Sequence, residues 1–467
     1  MPGPQSLSRI RRGAGAVLPW NLIAPDEVRY IVEVRMQITI KSSAARIGMA
    51  ALEGVAFLLL TFWVGKAYFA NVVSHRVTAD DLRLATRLDP NDSEYHLELG
   101  RIYQYSLTDI DTSQAIAELR LAAEKSPFDA QPWLDLGAAQ EIAGRVDDAE
   151  ASLRRADYLA PRLPGFQWAI ANFFLLHGDA NEALRHFRIV LAGTNQYDGM
   201  IFSTAWKAVG NGDEILAKLI PDNARPEVSY MYYLAGQNKP AEAQKVWQRL
   251  VAGHEGFSAR IVGPYIDSLL NFHMPDDAYN DWIDLQKRGL VAPPSEPGNL
   301  NYDGDFENDI TNFGFGWRFF PPPGLYIGLD STTFHSGGRS VLIRFPGKEN
   351  YLFRNVCEDV KVSPRETYRA RGFMRTEGIT TNSGPRLEAY DPYDLKRLDA
   401  FSDQLLGTNA AWTLLSITFT TKPETRLVNL CVTRFPSDKL DNLIKGKVWV
   451  DDVSVVKAEA DPMGDRP

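Results

Sequence analysis

Several hydrophobic spacings follow one another along the chain. Residues 47–64 read IGMAALEGVAFLLLTFWV, eighteen residues with a single charge, Glu53. As a helix rising about 1.5 Å per residue, this run reaches the lower limit for crossing a hydrocarbon core. Ahead of it, Val32, Val34, Met36, Ile38 and Ile40 alternate with polar residues, the period of a half-buried strand. An isolated strand is not stable, so this segment either pairs with a cytoplasmic partner or is disordered. Over 78–290 the spacing turns helical and repeats. Ala115, Ala149 and Ala183 are 34 residues apart, each followed four residues later by Leu119, Leu153 or Phe187, while Ala243/Trp247 and Ala278/Trp282 recur at 35. That period predicts helix–turn–helix units, none of which buries its apolar face alone. Residues 291–298, VAPPSEPG, form a Pro-rich, semi-rigid linker. Beyond it, 340–345, 356–362, 368–374, 413–419, 427–433 and 447–456 are short β-branched and aromatic runs separated by turn residues such as Ser336-Gly337-Gly338. Many strands without helices predict a sandwich or jelly roll.

The helical units carry a family pattern. Trp133, Leu136, Gly137, Ala149, Leu153, Ala156 and Pro161 stand where a tetratricopeptide repeat has its aromatic, packing, small and closing residues. The preceding unit has Leu99, Gly100, Tyr103, Ala115, Leu119, Ala122 and Pro127, with extra residues in its turn, and Leu82, Ala85 and Pro90 suit half a unit before that. Residues 78–290 therefore resemble the tetratricopeptide-repeat family. The resemblance implies a helical solenoid whose concave surface takes a protein partner. Gln140, Asn172 and Arg145 are polar residues on or near the first helices, but the Lys, Arg and Asn set that clamps acidic chain termini in some family members is missing.

The last third carries a second pattern: Asp303-Gly304-Asp305-Phe306-Glu307, Gly316-Trp317, His335-Ser336-Gly337-Gly338-Arg339-Ser340, Val360 to Pro364 with Tyr368, Trp412, and Val448-Trp449-Val450-Asp451-Asp452-Val453, in that order. Residues 299–457 thus resemble the galactose-binding-like jelly-roll carbohydrate-binding modules of bacterial xylanases and endoglucanases. In that family an acid from the first strand and one from the last often hold a structural calcium. The resemblance carries this onto Glu307 and Asp451, and hard oxygen ligands from both chain ends would tie a sandwich shut. It also implies polysaccharide binding, which needs ring faces and hydroxyl-reaching donors. The candidates are Trp317, Phe319, Phe320, Tyr326, Tyr351, Tyr390, Tyr393 and Trp412, with Arg354 and Arg386 as donors. The dipeptide Phe319-Phe320 before three prolines and the pair Tyr390/Tyr393 around Asp391-Pro392 read as loop residues. Cys357 and Cys431, the chain's two cysteines, fall in different predicted strands and are either a disulfide or buried thiols.

Composition refines this picture. A chain of 467 residues suggests roughly three domains. The net charge of −9 is uneven: residues 1–46 hold seven basic and three acidic side chains, so the remainder is acidic. An acidic bulk argues against nucleic acid. Basic residues ahead of the apolar run place the N-terminus in the cytoplasm by the positive-inside rule. The expected organisation is an α+β multidomain chain: a cytoplasmic basic segment (1–46), a single transmembrane helix (47–70) in a bacterial inner membrane, a helical array (78–290), the linker (291–298), an all-β jelly roll (299–457) in the periplasm, and a tail (458–467). The sequence holds no Gly-x-Ser-x-Gly elbow, phosphate loop or metal-spaced histidines, so the expectation is a scaffold rather than an enzyme.

Overall fold

The computed structural model describes residues 42–253, 256–294 and 296–458. The alternating segment 32–40 and most of the basic stretch lie outside the described residues. The chain divides into two units, one reaching Asp92 and the other starting at Ser93.

In the first unit, α1 (Ser43–Ser74) is 32 residues long, and its most apolar window averages a hydropathy of 2.0 with none of that window buried. It is long and apolar enough to cross a membrane, and Leu52, Phe57, Leu58, Leu60, Phe62 and Trp63 all face outward. A helix apolar all round suits lipid or a deep core. After it, Thr78 caps α2 (Ala79–Leu88): its hydroxyl accepts the Asp81 N–H at 3.2 Å and donates to the Asp81 carboxylate at 2.7 Å. Leu82 and Ala85 are buried.

The second unit begins with a tetratricopeptide-like array of antiparallel helix pairs: α3 (Ser93–Tyr105) with α4 (Thr112–Lys125), α5 (Ala130–Ile142) with α6 (Val146–Leu159), and α7 (Pro164–Leu176) with α8 (Ala180–Gly193). Then come α9 (Asp198–Val209) with α10 (Gly212–Lys218), α11 (Ala224–Gly236) with α12 (Pro240–Ala252), and α13 (Ala259–Asn271) with α14 (Pro275–Lys287). The small residues of the repeat do what the spacing predicts. A Cβ on Gly100 would stand 2.6 Å from Leu119 Cγ, and one on Gly137 would stand 2.7 Å from Leu153 Cγ, so paired helices touch where only glycine fits. Trp247 and Trp282, the 35-residue repeat, are both buried. The pattern weakens from Tyr197 because α10 spans only seven residues.

The β part is a sandwich of two antiparallel sheets. One, sheet A, orders β1 (Arg318–Phe319), β4 (Phe353–Lys361), β9 (Leu427–Arg434), β6 (Arg386–Tyr390) and β7 (Asp399–Phe401); the other, sheet B, orders β2 (Tyr326–Asp330), β3 (Ser340–Pro346), β10 (Lys445–Lys457), β5 (Thr367–Ile379) and β8 (Gly407–Thr420). Their facing sides bury Val341, Ile343, Val356, Val360, Met374, Leu387, Leu430, Val432, Val448 and Val450. Cys357 lies directly opposite Cys431 across β4 and β9, and their sulfurs are bonded.

Array and sandwich are joined by more than the Pro-rich segment. Trp282 of α14 meets Tyr302, Phe313 and Phe315 edge-on, with ring centroids at 5.5, 5.8 and 6.1 Å. Gly263 of α13 leaves room for the Phe313 ring, whose Cγ would be 2.4 Å from a Cβ there. The apolar core of the array runs without a break into Tyr302, Phe313, Phe315 and Leu427 of the sandwich. The last helix pair of a solenoid exposes an apolar face that needs a cap, and the sandwich covers it.

Candidate functional site

Strand register settles which side chains share the outer face of sheet A. Residues directly opposite across neighbouring strands point the same way, so one row runs Arg318, Cys357, Cys431, Glu388, Phe401 over β1, β4, β9, β6 and β7. The next row, two residues along, is Asp359, Asn429, Tyr390, Asp399. On the other side Thr433 stands opposite Arg386. Phe320 continues β1 opposite Asn355, each backbone or amide N–H there reaching the other's carbonyl.

Within this face, Arg354 grips Glu388 with both ends of its guanidinium, Nε donating to Oε2 at 2.7 Å and Nη2 to Oε1. The same guanidinium lies over Tyr390 at 5.2 Å and over Phe435 at 5.5 Å from the ring centroids. Arg386 also covers Phe435, at 5.6 Å, and donates to Gln404. Phe401 meets Phe435 edge-on at 5.2 Å. Two cations over rings, Arg354 pinned by a fully buried carboxylate and Arg386 by the Gln404 amide oxygen, hold the aromatics at fixed angles. Burial pushes the Glu388 carboxyl up against the pull of Arg354, and burial pushes the Arg386 guanidinium down. Phe401 is 38% exposed and Phe320 56%, so ring surface is open to solvent at both ends of the row. At the Asp359 end the array closes the face: Arg318 bonds both Asp359 and Asp267 of α13, and the Tyr393 hydroxyl donates to the Leu270 carbonyl at 2.9 Å.

The structure therefore separates the aromatic candidates. Phe320, Arg354 and Tyr390 share the outer face of sheet A, and Arg386 joins them. Trp317 is a correction: only 2% exposed, it packs on Phe306 at 5.0 Å inside the sandwich and has no face to offer a ligand. Phe319 points inward by strand alternation and packs against the same core, and Tyr351 is buried. Tyr393 is a joint residue between sandwich and array, its ring 4.1 Å from that of His273. Tyr326 and Trp412 lie on β2 and beside His335, on the other sheet. Glu388, Phe401, Phe435 and Gln404 escaped the sequence reading. The signal available for Glu388 was the alternation of Arg386, Glu388 and Tyr390, which one short strand turns to one side.

Glu307 and Asp451 both serve the 335–339 turn. Glu307 Oε1 accepts the N–H groups of Gly338 at 2.6 Å and Arg339 at 3.0 Å. Asp451 Oδ2 accepts those of His335 at 2.6 Å and Ser336 at 3.2 Å, and its Oδ1 that of Asp452 at 2.8 Å. Calcium takes six to eight oxygens. Here three of the four carboxylate oxygens face N–H donors, and among the described residues no group of three or more His, Cys, Asp or Glu could hold a metal. The donor set does not fit calcium, and the two acids tie the turn by accepting backbone hydrogens. In the array, Gln140 accepts from Ser152, Asn172 donates to the Trp168 carbonyl and Arg145 pairs with Asp148, so each is spent internally.

No protein-family model matches the chain, and no curated protein matches it. Among solved structures, the chain is similar to MamA (17% identity over 37% of this chain and 85% of that one, TM-score 0.23). It is also similar to PilF of Pseudomonas aeruginosa (16% identity, 48% and 91% covered, TM-score 0.24). A third likeness is to the CBM22-1 xylan-binding domain of Paenibacillus barcinonensis Xyn10C (13% identity, 33% and 92% covered, TM-score 0.23).

Proposed function

We propose that this chain is a membrane-anchored, non-catalytic scaffold of the bacterial envelope, whose helical array recruits a protein segment and whose sandwich holds a polysaccharide during its production or export. The observation that carries the glycan part is the outer face of sheet A, where Arg354 clamps buried Glu388 while lying over Tyr390 and Phe435. Sugars are recognised by rings that cover their C–H faces and by charged donors and amide acceptors that reach hydroxyls, and this face presents both. The helix Ser43–Ser74 supplies the anchor, with the N-terminus in the cytoplasm and the bulk in the periplasm. The bonded Cys357 and Cys431 support an oxidising compartment for the sandwich.

The test is a glycan array probed with the full chain in neutral detergent, alongside a variant with Tyr390, Phe401 and Phe435 replaced by Ala. Retention of a polysaccharide by the wild type and its loss in the variant support the reading. Equal retention by both, or none by either, sinks the glycan part.

A second reading has its own observation. The sandwich shares one apolar core with α13 and α14, as a cap that stabilises a protein-binding solenoid would. An empty glycan array together with capture of a protein segment by the array favours that adaptor.

A further inference from the structure

The opposite face of the sandwich carries a charge pattern that the glycan reading of sheet A does not use. Register across sheet B places outward residues in rows: Tyr326, Arg344, Lys447, Glu377; then Gly328, Leu342, Trp449, Arg375; then Asp451, Phe373, Leu414. Past the β10 bulge the rows are Ser454, Arg371, Ser416 and Val456, Arg369, Thr418. Lys445 precedes Lys447 on the same side of β10, so six cations share one sheet face in a chain whose net charge is −9. Along β5 alone, Arg369, Arg371 and Arg375 alternate outward over roughly 20 Å at about 3.3 Å per residue.

Most of this charge is unspent. Among the described residues no carboxylate lies within ion-pair distance of Arg344, Arg369, Arg371, Arg375 or Lys445. The acids of the face are already engaged: Glu377 by Lys447 at 2.9 Å, Asp330 by the Trp449 indole N–H at 2.7 Å with Arg344 adding a longer-range pull, and Asp452 by His335 and Ser336. Arg344 stands directly opposite Lys447, and like charges facing across strands destabilise a sheet. A sequence keeps such a local conflict where a ligand relieves it. Rings are interleaved with the cations. Arg344 lies over Tyr326 at 5.4 Å, Arg375 over Trp449 at 5.5 Å, and Phe373 stacks on His335 at 3.7 Å. A hollow of about 560 Å³ punctuates the face, lined by Tyr326, Arg344, Lys445, Lys447 and the Glu377 that Lys447 already holds. A second, of about 510 Å³ beside Arg371, also carries the acids Glu296, Asp305 and Asp452 and does not belong to the anion site.

We infer that the outer face of sheet B binds an anionic polysaccharide, one bearing carboxylate or ester-linked acid groups along its length. Unpaired arginines call for anions, since arginine forms its strongest hydrogen bonds with them. Rings and the hydroxyls of Ser416, Thr418 and Ser454 suit a sugar backbone between the charges. The basic hollow at Arg344, Lys445 and Lys447 suits a single chain seated in the face better than a flat lipid leaflet. This site is separate from the sheet A face and stands or falls without it.

The experiment uses the full chain in neutral detergent with polygalacturonate as probe, its fully methyl-esterified form as the uncharged counterpart, and phosphatidylglycerol vesicles as the competing surface. Wild type binds polygalacturonate with an affinity that falls as salt rises, and binds the ester at least about tenfold more weakly, as loss of one charged hydrogen bond already requires. Replacing Arg344, Arg369 and Arg371 by Ser lowers polygalacturonate affinity at least about tenfold, while Lys at the same positions retains most of it. The Tyr390/Phe401/Phe435→Ala variant binds polygalacturonate as wild type does. Equal binding of the acid and the ester overturns the inference on the wild type alone, whatever the variants do. So does binding to vesicles without binding to polygalacturonate, or unchanged affinity in the folded triple Ser variant. If polygalacturonate binding is lost only in the sheet A variant, the glycan belongs to sheet A; this inference then fails while the proposed function stands.

Discussion

Arg318 of β1 holds Asp267 of α13 at 2.8 Å, and the same guanidinium holds Asp359 of β4 at 2.5 Å. Its side chain is 14% exposed, and Asp267 also accepts the Gly314 N–H at 2.8 Å. Burial by itself lowers the Arg318 pKa, but the two carboxylates more than offset it, so the cation is kept charged between array and sandwich. A bond of this kind contributes little net stability over an apolar substitute for the whole set. Removing one member is different, because Asp359, only 10% exposed, is left without the cation that offsets its burial and Asp267 keeps only its Gly314 and solvent partners.

Arg318→Met is therefore expected to destabilise the protein by about 3–5 kcal/mol. Urea unfolding followed by tryptophan fluorescence measures it. A midpoint unchanged from wild type would show that the guanidinium does not hold the joint.

The joint has an apolar counterpart in Gly263. A methyl there falls on the base of the Phe313 ring rather than on a mobile tip, so Gly263→Ala is expected to cost about 1–3 kcal/mol by overpacking, despite alanine's better helix propensity. Thermal unfolding of the two proteins distinguishes this from the gain that an open helical glycine would give.

How much of this could be read in the sequence follows from what each signal reports. Repeats were legible because Ala115, Ala149 and Ala183 answer one local packing demand again and again. Long strands were legible for the same reason, as in 340–345 against Ser340–Pro346. The short strands β1, β6 and β7 were not, since two to five residues are too few for a period to stand out, even where Arg386, Glu388 and Tyr390 alternate. The face they complete was hidden with them. An aromatic's identity says nothing of which side of a strand it takes: Trp317 went inward and Tyr390 outward. The joint with the array was invisible because Gly263 and Phe313 are 50 positions apart and neither is unusual alone.

Asp281 of α14 makes the pH dependence. It is 1% exposed; one oxygen accepts from Gln244 at 2.7 Å and the other has no partner. Burial, helped by Asp284 and Asp277, pushes its carboxyl up to about 8, while Gln244 opposes the shift. The folded chain thus holds a proton that the unfolded chain releases near pH 4, where an unperturbed aspartate titrates. Stability attributable to this group is complete below about pH 4, falls as pH rises, and is fully lost above about 8. Asp281→Asn, which cannot ionise, is expected to flatten that slope and to gain up to roughly 5 kcal/mol over wild type at pH 8. Parallel stability curves for the two proteins between pH 5 and 8 would contradict it.

Reduction of the Cys357–Cys431 bond frees a stretch with a sequence separation of 74. The chain-entropy estimate for that length is about 4 kcal/mol, so dithiothreitol is expected to lower the denaturation midpoint of the wild type and to leave a Cys357→Ala/Cys431→Ala variant where it was. Because the bond links central strands of sheet A, the loss should also loosen the Arg354–Glu388 face, which amide exchange over 386–390 would report.

Asp451 and Glu307 make opposite demands on experiment from those of a metal site. Together they accept five backbone N–H groups, four of them from the 335–339 turn, and Gly337 in that turn has φ +64, so the turn's shape depends on acceptors at fixed places. Replacing an acceptor removes the charge-assisted hydrogen bonds that shape the turn, a loss of about 1.5–3 kcal/mol for a hydrogen bond to a charged group. Asp451→Ala and Glu307→Ala are thus each expected to lower the melting temperature, and to do so by the same amount in calcium and in chelator. In the wild type, chelator should leave the melting temperature where it stood, because three of the four carboxylate oxygens are satisfied by backbone N–H groups. A rise on adding calcium that disappears in both variants would mean that these oxygens turn from the backbone to a cation.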